Sequence, residues 1–336
     1  MTEIKILIFV SAICLFLPAS FSSHSFSQEV DTTKIIPEIK NRIYSIQIRD
    51  DHAFAAVTAG LRVFDISDPA DVKESGIAYI TGGALSVTLS GDHAFLSAGS
   101  AGIWIFDVSN PASPKKVGYY DTKGAAMATA VKGNICFVAD GTFGLVALDV
   151  SDPKQPREVF HHDIADERDY YRHLAVEGDL VYAAVGFNGV KIFKAGKNNA
   201  KMVSELRTAG EARHVAVSGN KLYVADGQGG LRIYDVSKPE MSKELGSIGS
   251  KDFARGVAVQ GELAYLADGS GGLRVIDVSK PQTPTEKGSA KSPASANSVT
   301  VSGHHAFIAA DSAGMVIYDI SNPVSPVQIE KKEEKK

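Results

Sequence analysis

Apolar and polar residues alternate in short runs along most of this chain, and turns rich in Gly, Asn and Asp separate the runs. One run, which reads LRIYD at Leu231, recurs in related form seven times, beginning at Leu61, Ile103, Leu145, Val190, Leu231, Leu273 and Met315. The starts lie 42, 42, 45, 41, 42 and 42 residues apart. Alternation with a period of two predicts β-strands. A repeat of this length that holds several short strands is typical of a propeller blade.

The fifth repeat shows how one blade is built. Strands a and b are predicted at Arg213–Ser218 and Lys221–Asp226, with a two-residue hairpin turn at Gly219 and Asn220 between them. A Gly-rich loop leads into strand c at Leu231–Val236, and strand d follows near Lys243–Ile248. The sequence therefore predicts an all-β fold, a seven-bladed β-propeller of four-stranded antiparallel blades that forms one domain.

The amino-terminal residues differ from the repeats. Lys5 precedes an apolar run from Ile6 to Leu17, and a Ser-rich stretch follows through Ser27. This order is typical of a signal peptide, predicted over residues 1–27 with cleavage between 20 and 27. The run is shorter than the roughly 20 residues that cross a bilayer as a helix. We expect an exported mature protein without a transmembrane anchor, located in the periplasm, on the cell surface or in the medium.

The predicted propeller covers residues 44–329. Residues 28–43 form an amino-terminal segment, and residues 330–336 form a charged tail predicted to be disordered. The fourth strand of the last blade has two candidate sources, Val327–Glu330 in chain order or Lys34–Ile39 as a closing strand from the amino end.

Composition excludes some classes of function. The formal net charge is −4, and basic residues do not cluster, so we expect no nucleic-acid partner. After removal of the signal peptide, Cys136 is the one remaining cysteine, and its apolar neighbours predict a core position. The nucleophile elbow, the P-loop and the His-Glu-x-x-His zinc motif are all missing. The sequence therefore indicates no cofactor, no metal and no catalytic residue.

The repeated motif carries a family resemblance. The stretch LRVIDVSKP at residues 273–281, preceded by YLADG at residues 265–269, resembles the LVIVD repeat family of bacterial and archaeal exported proteins. Six of the seven copies keep the Asp and Ser of the signature, and the fourth has Lys194 and Gly196 in their places. The resemblance implies a seven-bladed propeller outside the cytoplasm. It supplies no common catalytic motif.

The recurrent Asp and Ser are interpreted as turn residues. An Asp that ends a strand before a Ser-x-Pro turn can bind turn amides through its carboxylate. Six copies of one site around a ring are difficult to reconcile with an enzyme. The pairs are Asp65 and Ser67, Asp107 and Ser109, Asp149 and Ser151, Asp235 and Ser237, Asp277 and Ser279, and Asp319 and Ser321.

Three consecutive blades place an Arg at the start of strand a. Counting from the hairpin turns predicts that Arg213 faces Asp226 and that Arg255 faces Asp268 as cross-strand ion pairs. Arg172 has the same place in blade four and is predicted to lack such a partner. Two interpretations follow: the three guanidinium groups form a pocket for a small anionic ligand, or they neutralise their own carboxylates.

The longest repeat interval places an insertion between blades three and four. It is rich in side chains suited to contacts with a partner, namely His161, His162, Asp163, Asp166, Glu167, Asp169, Tyr170 and Tyr171. His173 follows it, and His214 lies on the next blade. One interpretation is a solvated loop or protein-contact surface. The other is a ligand or metal site, although no fixed ligand spacing supports a metal.

Two functional hypotheses follow. The leading one is an exported, non-enzymatic interaction scaffold that binds a protein or a component of the cell envelope through the rim formed by the d-to-a loops. The competing one is a hydrolase, lactonase or lyase-like enzyme. In that hypothesis Arg172, Arg213 and Arg255 bind a small carboxylate-bearing substrate, and His173 or His214 carries a proton.

Overall fold

The computed structural model describes residues 42–197 and 199–330, which form seven four-stranded antiparallel sheets. In each sheet the strands are neighbours in chain order, from strand a to strand d. The a strands of successive blades contact one another, and those of blades one and seven close the ring. The predicted all-β seven-bladed propeller is confirmed.

The strands keep similar lengths from blade to blade. Strands a are Ile43–Arg49, Ser86–Ser90, Ala128–Lys132, His173–Glu177, His214–Ser218, Gly256–Gln260 and Ser298–Ser302. Strands b are His52–Val57, His93–Ser97, Ile135–Ala139, Leu180–Ala184, Lys221–Ala225, Leu263–Ala267 and His305–Ala309. Strands c are Gly60–Asp65, Ile103–Asp107, Leu145–Asp149, Val190–Ala195, Leu231–Asp235, Leu273–Asp277 and Met315–Asp319. Strands d are Lys73–Tyr79, Lys115–Tyr120, Arg157–His162, Ala200–Leu206, Lys243–Ile248, Thr285–Ala290 and Val327–Gln328. A short 3-10 turn spans Pro239–Met241.

The two chain ends contribute differently to what the structure describes. The predicted signal peptide, the candidate closing strand Lys34–Ile39 and the tail from residue 331 onward lie outside the described residues. Val327–Gln328 pairs with Tyr318 and Asp319, so the fourth strand of blade seven comes in chain order. Within the described residues, no helix has the length and apolar character needed to cross a membrane.

The hydrophobic core is divided into layers between neighbouring blades. In one layer, Phe54 and Leu61 of blade one pack with Leu96 and Phe106 of blade two, and all four side chains are buried. Each such side chain contributes roughly 1.5–3 kcal/mol by leaving water. Because neighbours cover both faces of most sheets, the strands are apolar or small on both sides.

A backbone junction ties six of the seven blades to the next at one rim. After strand b, the chain passes through Gly99, Gly141, Gly186, Gly227 or Gly269, whose φ angles of 55–57° favour glycine. Each of these glycines forms a β-bridge to the residue two positions before strand a of the following blade. In blade seven, Asp311 with φ of 43° has this place and bridges Ile43. The junctions fix the b-to-c and d-to-a loops together at one end of the ring.

The six Asp-Ser pairs have the structural role expected of them. The Asp Oδ1 accepts the backbone N–H of the Ser two positions later, at 2.8–2.9 Å in every copy. Hydrogen bonds from the Ser lower the pKa of the Asp, and for Asp277 the pKa falls to about 2. These residues hold the turn after strand c, and their interpretation as turn residues is confirmed.

Candidate functional site

One position in each blade faces the end of the central channel. In six blades, the residue directly before strand a donates its backbone N–H to the carbonyl of the last residue of strand b, at 2.7–2.9 Å. Tyr44 has the corresponding place in blade one, directly before the pair of Ser45 with Ala56. In blade order the seven residues are Tyr44, Leu85, Met127, Arg172, Arg213, Arg255 and Asn297.

These seven side chains line a cavity of about 320 Å³, which we call the channel mouth. It continues into a section of the channel of about 350 Å³ through shared lining residues, including Ser45 and Ser298. The structure brings the five candidate ligand-binding residues together here, namely Arg172, His173, Arg213, His214 and Arg255.

The predicted cross-strand ion pairs are wrong. Asp226 lies after the end of strand b, where the chain turns outward, and its carboxylate accepts Arg232 Nε at 2.7 Å instead of Arg213. Asp268 likewise pairs with Arg274, at 3.0 Å, and not with Arg255. Both Asp side chains are buried and also accept a backbone N–H of the preceding d-to-a loop. Backbone register thus located the residues but did not determine where their side chains point.

Glu211 is the carboxylate that forms ion pairs with two of the mouth arginines. Arg172 Nη2 lies 2.5 Å from Glu211 Oε1, and Arg213 Nη1 lies 3.2 Å from the same oxygen. The prediction that Arg172 lacks a partner is therefore wrong. Burial lowers the pKa of Arg172, and the charge of Arg213 lowers it further against the opposing effect of Glu211. Two guanidinium groups share one carboxylate, so the pair retains a positive charge.

Arg255 is the mouth arginine without an ion pair among the described residues. Its guanidinium lies 5.3 Å from the ring centroid of Phe253, and Arg213 lies 5.5 Å from the same ring. The Arg255 Nε is buried and has no hydrogen-bond partner in the part of the chain that the structure describes. Hydrogen bonds from Ser270 lower the pKa of Asp252 and the charge of Arg255 helps to lower it further, but no ion pair joins Arg255 to Asp252 among the described residues. Three guanidinium groups and no described carboxylate line the mouth, which therefore carries a positive excess on this side.

His173 and His214 lie one step deeper and stack on each other. Their ring centroids are 3.6 Å apart with an interplanar angle of 22°. His173 Nδ1 accepts the backbone N–H of Val215 at 3.5 Å. Burial lowers the pKa of His214 to about 4 and holds that of His173 well below its usual range, with a further contribution from His214. Both imidazoles are therefore neutral near pH 7 and form an aromatic wall below the arginines.

The two histidines of the insertion are packed away from the channel. His161 stacks on Phe143 at 3.9 Å, and its Nε2 lies 2.6 Å from the Phe143 carbonyl oxygen. His162 meets the edge of Phe193 at 4.9 Å, and burial lowers its pKa. Exposed Asp163 lies near His161 Nδ1, at 3.4 Å. Residues 42–197 and 199–330 contain no group of three or more His, Cys, Asp or Glu side chains placed to hold a metal.

Two members of the proposed contact loop are buried. Asp169 is 1% exposed, and its carboxylate accepts Asn188 Nδ2 at 2.7 Å and pairs with Lys191. Tyr171 is fully buried at the junction position that is Ala in five other blades. The expectation that these two side chains belong to a contact surface is therefore corrected. They hold the insertion onto blade four.

The remaining members of the loop lie nearer the solvent. Glu167 is exposed, and half-buried Asp166 pairs with Arg168 at 2.6 Å. Tyr170 connects the loop to the mouth, because its hydroxyl donates to Met127 Sδ at 3.4 Å and its ring lies 4.7 Å from the Arg172 guanidinium. A contact role for Asp163, Asp166, Glu167 and Tyr170 stays a prediction.

Sequence reasoning did not identify several residues of this rim. Glu211 lies two positions before Arg213, and Tyr44, Leu85 and Met127 share the position of the arginines in blades one to three. Aligning the sequence at the starts of the seven a strands would have identified Glu211, Tyr44, Leu85 and Met127. Phe187, with 71% of its surface exposed, stands in the b-to-c loop of blade four where blades five and six have small or polar residues.

The three solved structures compared below show the fold alone, because each is less than 25% identical to this chain. The chain is similar to the computationally designed Ika8 protein, with 11% identity, a TM-score of 0.62, and coverage of 84% of this chain and 97% of that one. A putative 6-phosphogluconolactonase from Bacteroides uniformis has 13% identity, a TM-score of 0.66 and coverage of 72% and 83%. BamB from Moraxella catarrhalis has 15% identity, a TM-score of 0.57 and coverage of 82% of both chains.

No curated protein matches the sequence. The LVIVD repeat family matches six segments, at residues 43–79, 81–122, 123–163, 209–248, 253–291 and 293–331. The interval between the third and fourth matches contains most of the insertion and the degraded fourth repeat. Because the matches cover most of the chain and coincide with blades of the observed propeller, this protein belongs to the LVIVD repeat family.

Proposed function

We propose that this chain is an exported, non-enzymatic binding propeller that recognises a carboxylate-bearing molecule of the cell envelope at the channel mouth. The observation that carries the proposal is the positive excess of this recessed rim, where Glu211 pairs with Arg172 and Arg213 while Arg255 has no ion pair among the described residues. Export is inferred from the signal-like residues 1–27.

The arrangement suits an anion for two reasons. A guanidinium group offers parallel N–H donors that match the two oxygens of a carboxylate. Half-buried Arg255 lines the mouth without an ion pair within the described ranges, so an incoming carboxylate would supply its missing counter-charge. The partner is therefore a protein or another envelope component that presents a carboxylate to the d-to-a rim.

The catalytic alternative is not favoured by the geometry. A hydrolase, lactonase or lyase-like site needs a proton carrier that is oriented toward the substrate. His173 and His214 stack on each other, and no hydrogen bond among the described residues joins either ring to a carboxylate. The likeness to a putative lactonase concerns the fold alone, and one fold supports many unrelated functions.

The test is a thermal-melting screen of the mature protein against small carboxylates and their matched neutral amides. A carboxylate at a hundred times its Kd should raise the midpoint by roughly 4–5 °C, and its amide should not. The shift should persist in Arg157→Gln, a remote and exposed arginine, and disappear in Arg255→Gln. Equal shifts in both variants, or no shift with any carboxylate, would contradict the proposal. Ester or lactone turnover that disappears in His214→Gln would support the catalytic alternative.

A further inference from the structure

The channel mouth has two chemically different sides. Blades four, five and six contribute Arg172, Arg213 and Arg255, which we call the cationic arc. Blades one, two and three contribute Tyr44, Leu85 and Met127, which we call the apolar arc. Asn297 of blade seven separates the two arcs on one side of the ring. Because the seven positions are equivalent, side-chain identity alone produces this division.

The apolar arc has few polar atoms to offer a ligand. Leu85 and Met127 are half-buried, and Met127 Sδ already accepts the Tyr170 hydroxyl. The Tyr44 hydroxyl lies 3.5 Å from Thr58 Oγ1, so its polar end has a partner within the protein. A ligand group that rests on this arc gains by leaving water and has little to hydrogen-bond with.

The channel below the mouth is lined by small and uncharged side chains. They include Ala175, Ala216 and Ala258 together with the polar Gln47, Thr88 and Thr300. No carboxylate or ammonium side chain lines this channel section within the described residues. The mouth, at about 320 Å³, is near the lower end of the range for small-molecule pockets. A slender chain therefore fits the space better than a bulky or charged group.

We infer that the mouth binds an amphipathic monocarboxylate, with its carboxylate on the cationic arc and its apolar chain on the apolar arc. This inference rests on the proposed function and names the class of its ligand. The same geometry disfavours a dicarboxylate of equal length. Its second carboxylate would lie against Leu85 or Met127, where an unpaired charge is costly to bury.

The experiment is a calorimetric titration of the mature protein with acetate, butanoate, hexanoate, octanoate and octanedioate, which measures the affinity for each acid. Affinity should rise about fourfold for each added methylene that reaches the apolar surface, the fold-change equal to about 0.8 kcal/mol. Octanedioate should bind at least about tenfold more weakly than octanoate, because its distal carboxylate has no partner there.

Variants assign the two ends of the ligand. Met127→Gln should flatten the dependence on chain length and leave butanoate binding within about twofold, because the cationic arc is unchanged. Arg255→Gln should weaken every acid by a similar factor. Val324→Asn changes an exposed residue away from the mouth and is the control that should alter neither. If Met127→Gln does not fold, the chain-length series on the unaltered protein decides by itself.

The outcomes separate this inference from the proposed function. If none of the acids binds, both are wrong. If the acids bind with equal affinity at every chain length, or if octanedioate matches octanoate, the mouth recognises carboxylates without regard to their apolar part. The inference is then overturned while the proposed function stands.

Discussion

A buried carboxylate in blade four offers a sharp test of how this propeller neutralises its interior charges. In blades five and six, an arginine of strand c pairs with the Asp that follows strand b of the same blade. The pairs are Arg232 with Asp226 and Arg274 with Asp268, and both carboxylates are fully buried. The cation on strand c and the carboxylate of the b-to-c loop thus form one unit within each of these blades.

In blade four the cation also lies on strand c, but its carboxylate partner comes from the insertion. Val185 stands at the place of the b-to-c Asp, and Lys191 stands at the place of the arginine. Asp169, from the insertion, reaches Lys191 and also accepts Asn188 Nδ2. Burial alone would raise the pKa of Asp169, but hydrogen bonds from Lys191 and Asn188 and the charge of Lys191 outweigh it, and the pKa is lowered. Asp169 is therefore ionised at neutral pH.

The perturbation is Asp169→Asn, which leaves Lys191 buried at 2% exposure without a counter-charge. Breaking one partner of a buried ion pair costs about 3–5 kcal/mol. For a domain of this size, the melting temperature should fall by roughly 5–8 °C. Restoring the carboxylate on the other loop, in Asp169→Asn with Val185→Asp, should recover about half of the loss, because the cation again has a partner.

The assay is thermal melting of the mature protein at pH 7, with unfolding monitored by circular dichroism. Asp166→Asn is the matched control, since it removes a carboxylate of the same loop whose partner Arg168 is 70% exposed, and it should leave the midpoint unchanged. An Asp169→Asn protein that melts within about 1 °C of the unaltered one would refute the reasoning, since the free energy of a buried unpaired ammonium group cannot be that small.

Three further predictions concern the interior. His214 has a folded pKa of about 4, below its unfolded value, so stability should be fully present above about pH 6.5 and fall by roughly 3 kcal/mol as the pH drops to 4. His214→Gln should reduce this slope in unfolding titrations. Gly118→Ala places a methyl group 1.8 Å from the Pro153 carbonyl oxygen of the next blade and should cost about 1–3 kcal/mol in urea unfolding, whereas Gly249→Ala, with open space around it, should cost far less. Cys136 is buried and burial raises the pKa of its thiol, so a maleimide should label it in urea and not in the native protein; rapid native labelling would show that this core opens.

The architecture could be predicted from the sequence because it depends on local and repeated features. The period of about 42 residues, the alternation within each run and the turn residues are all properties of short segments. They predicted seven blades, the strand order and the turn role of pairs such as Asp235 and Ser237, and the structure confirms each. Strand order also placed the three arginines at one rim, where they lie.

The arrangement of the site was decided by tertiary structure, because it depends on how separate blades meet. Arg172 and Arg213 lie on different sheets, and only the packing of blade four on blade five brings both to Glu211. The same packing stacks His173 on His214, a contact that no count along a single hairpin contains. The sequence by itself determined which residues occupy equivalent positions. Packing between the blades decided which of those side chains pair, which are buried and which remain open to a ligand, since each depends on atoms that lie far apart in the chain.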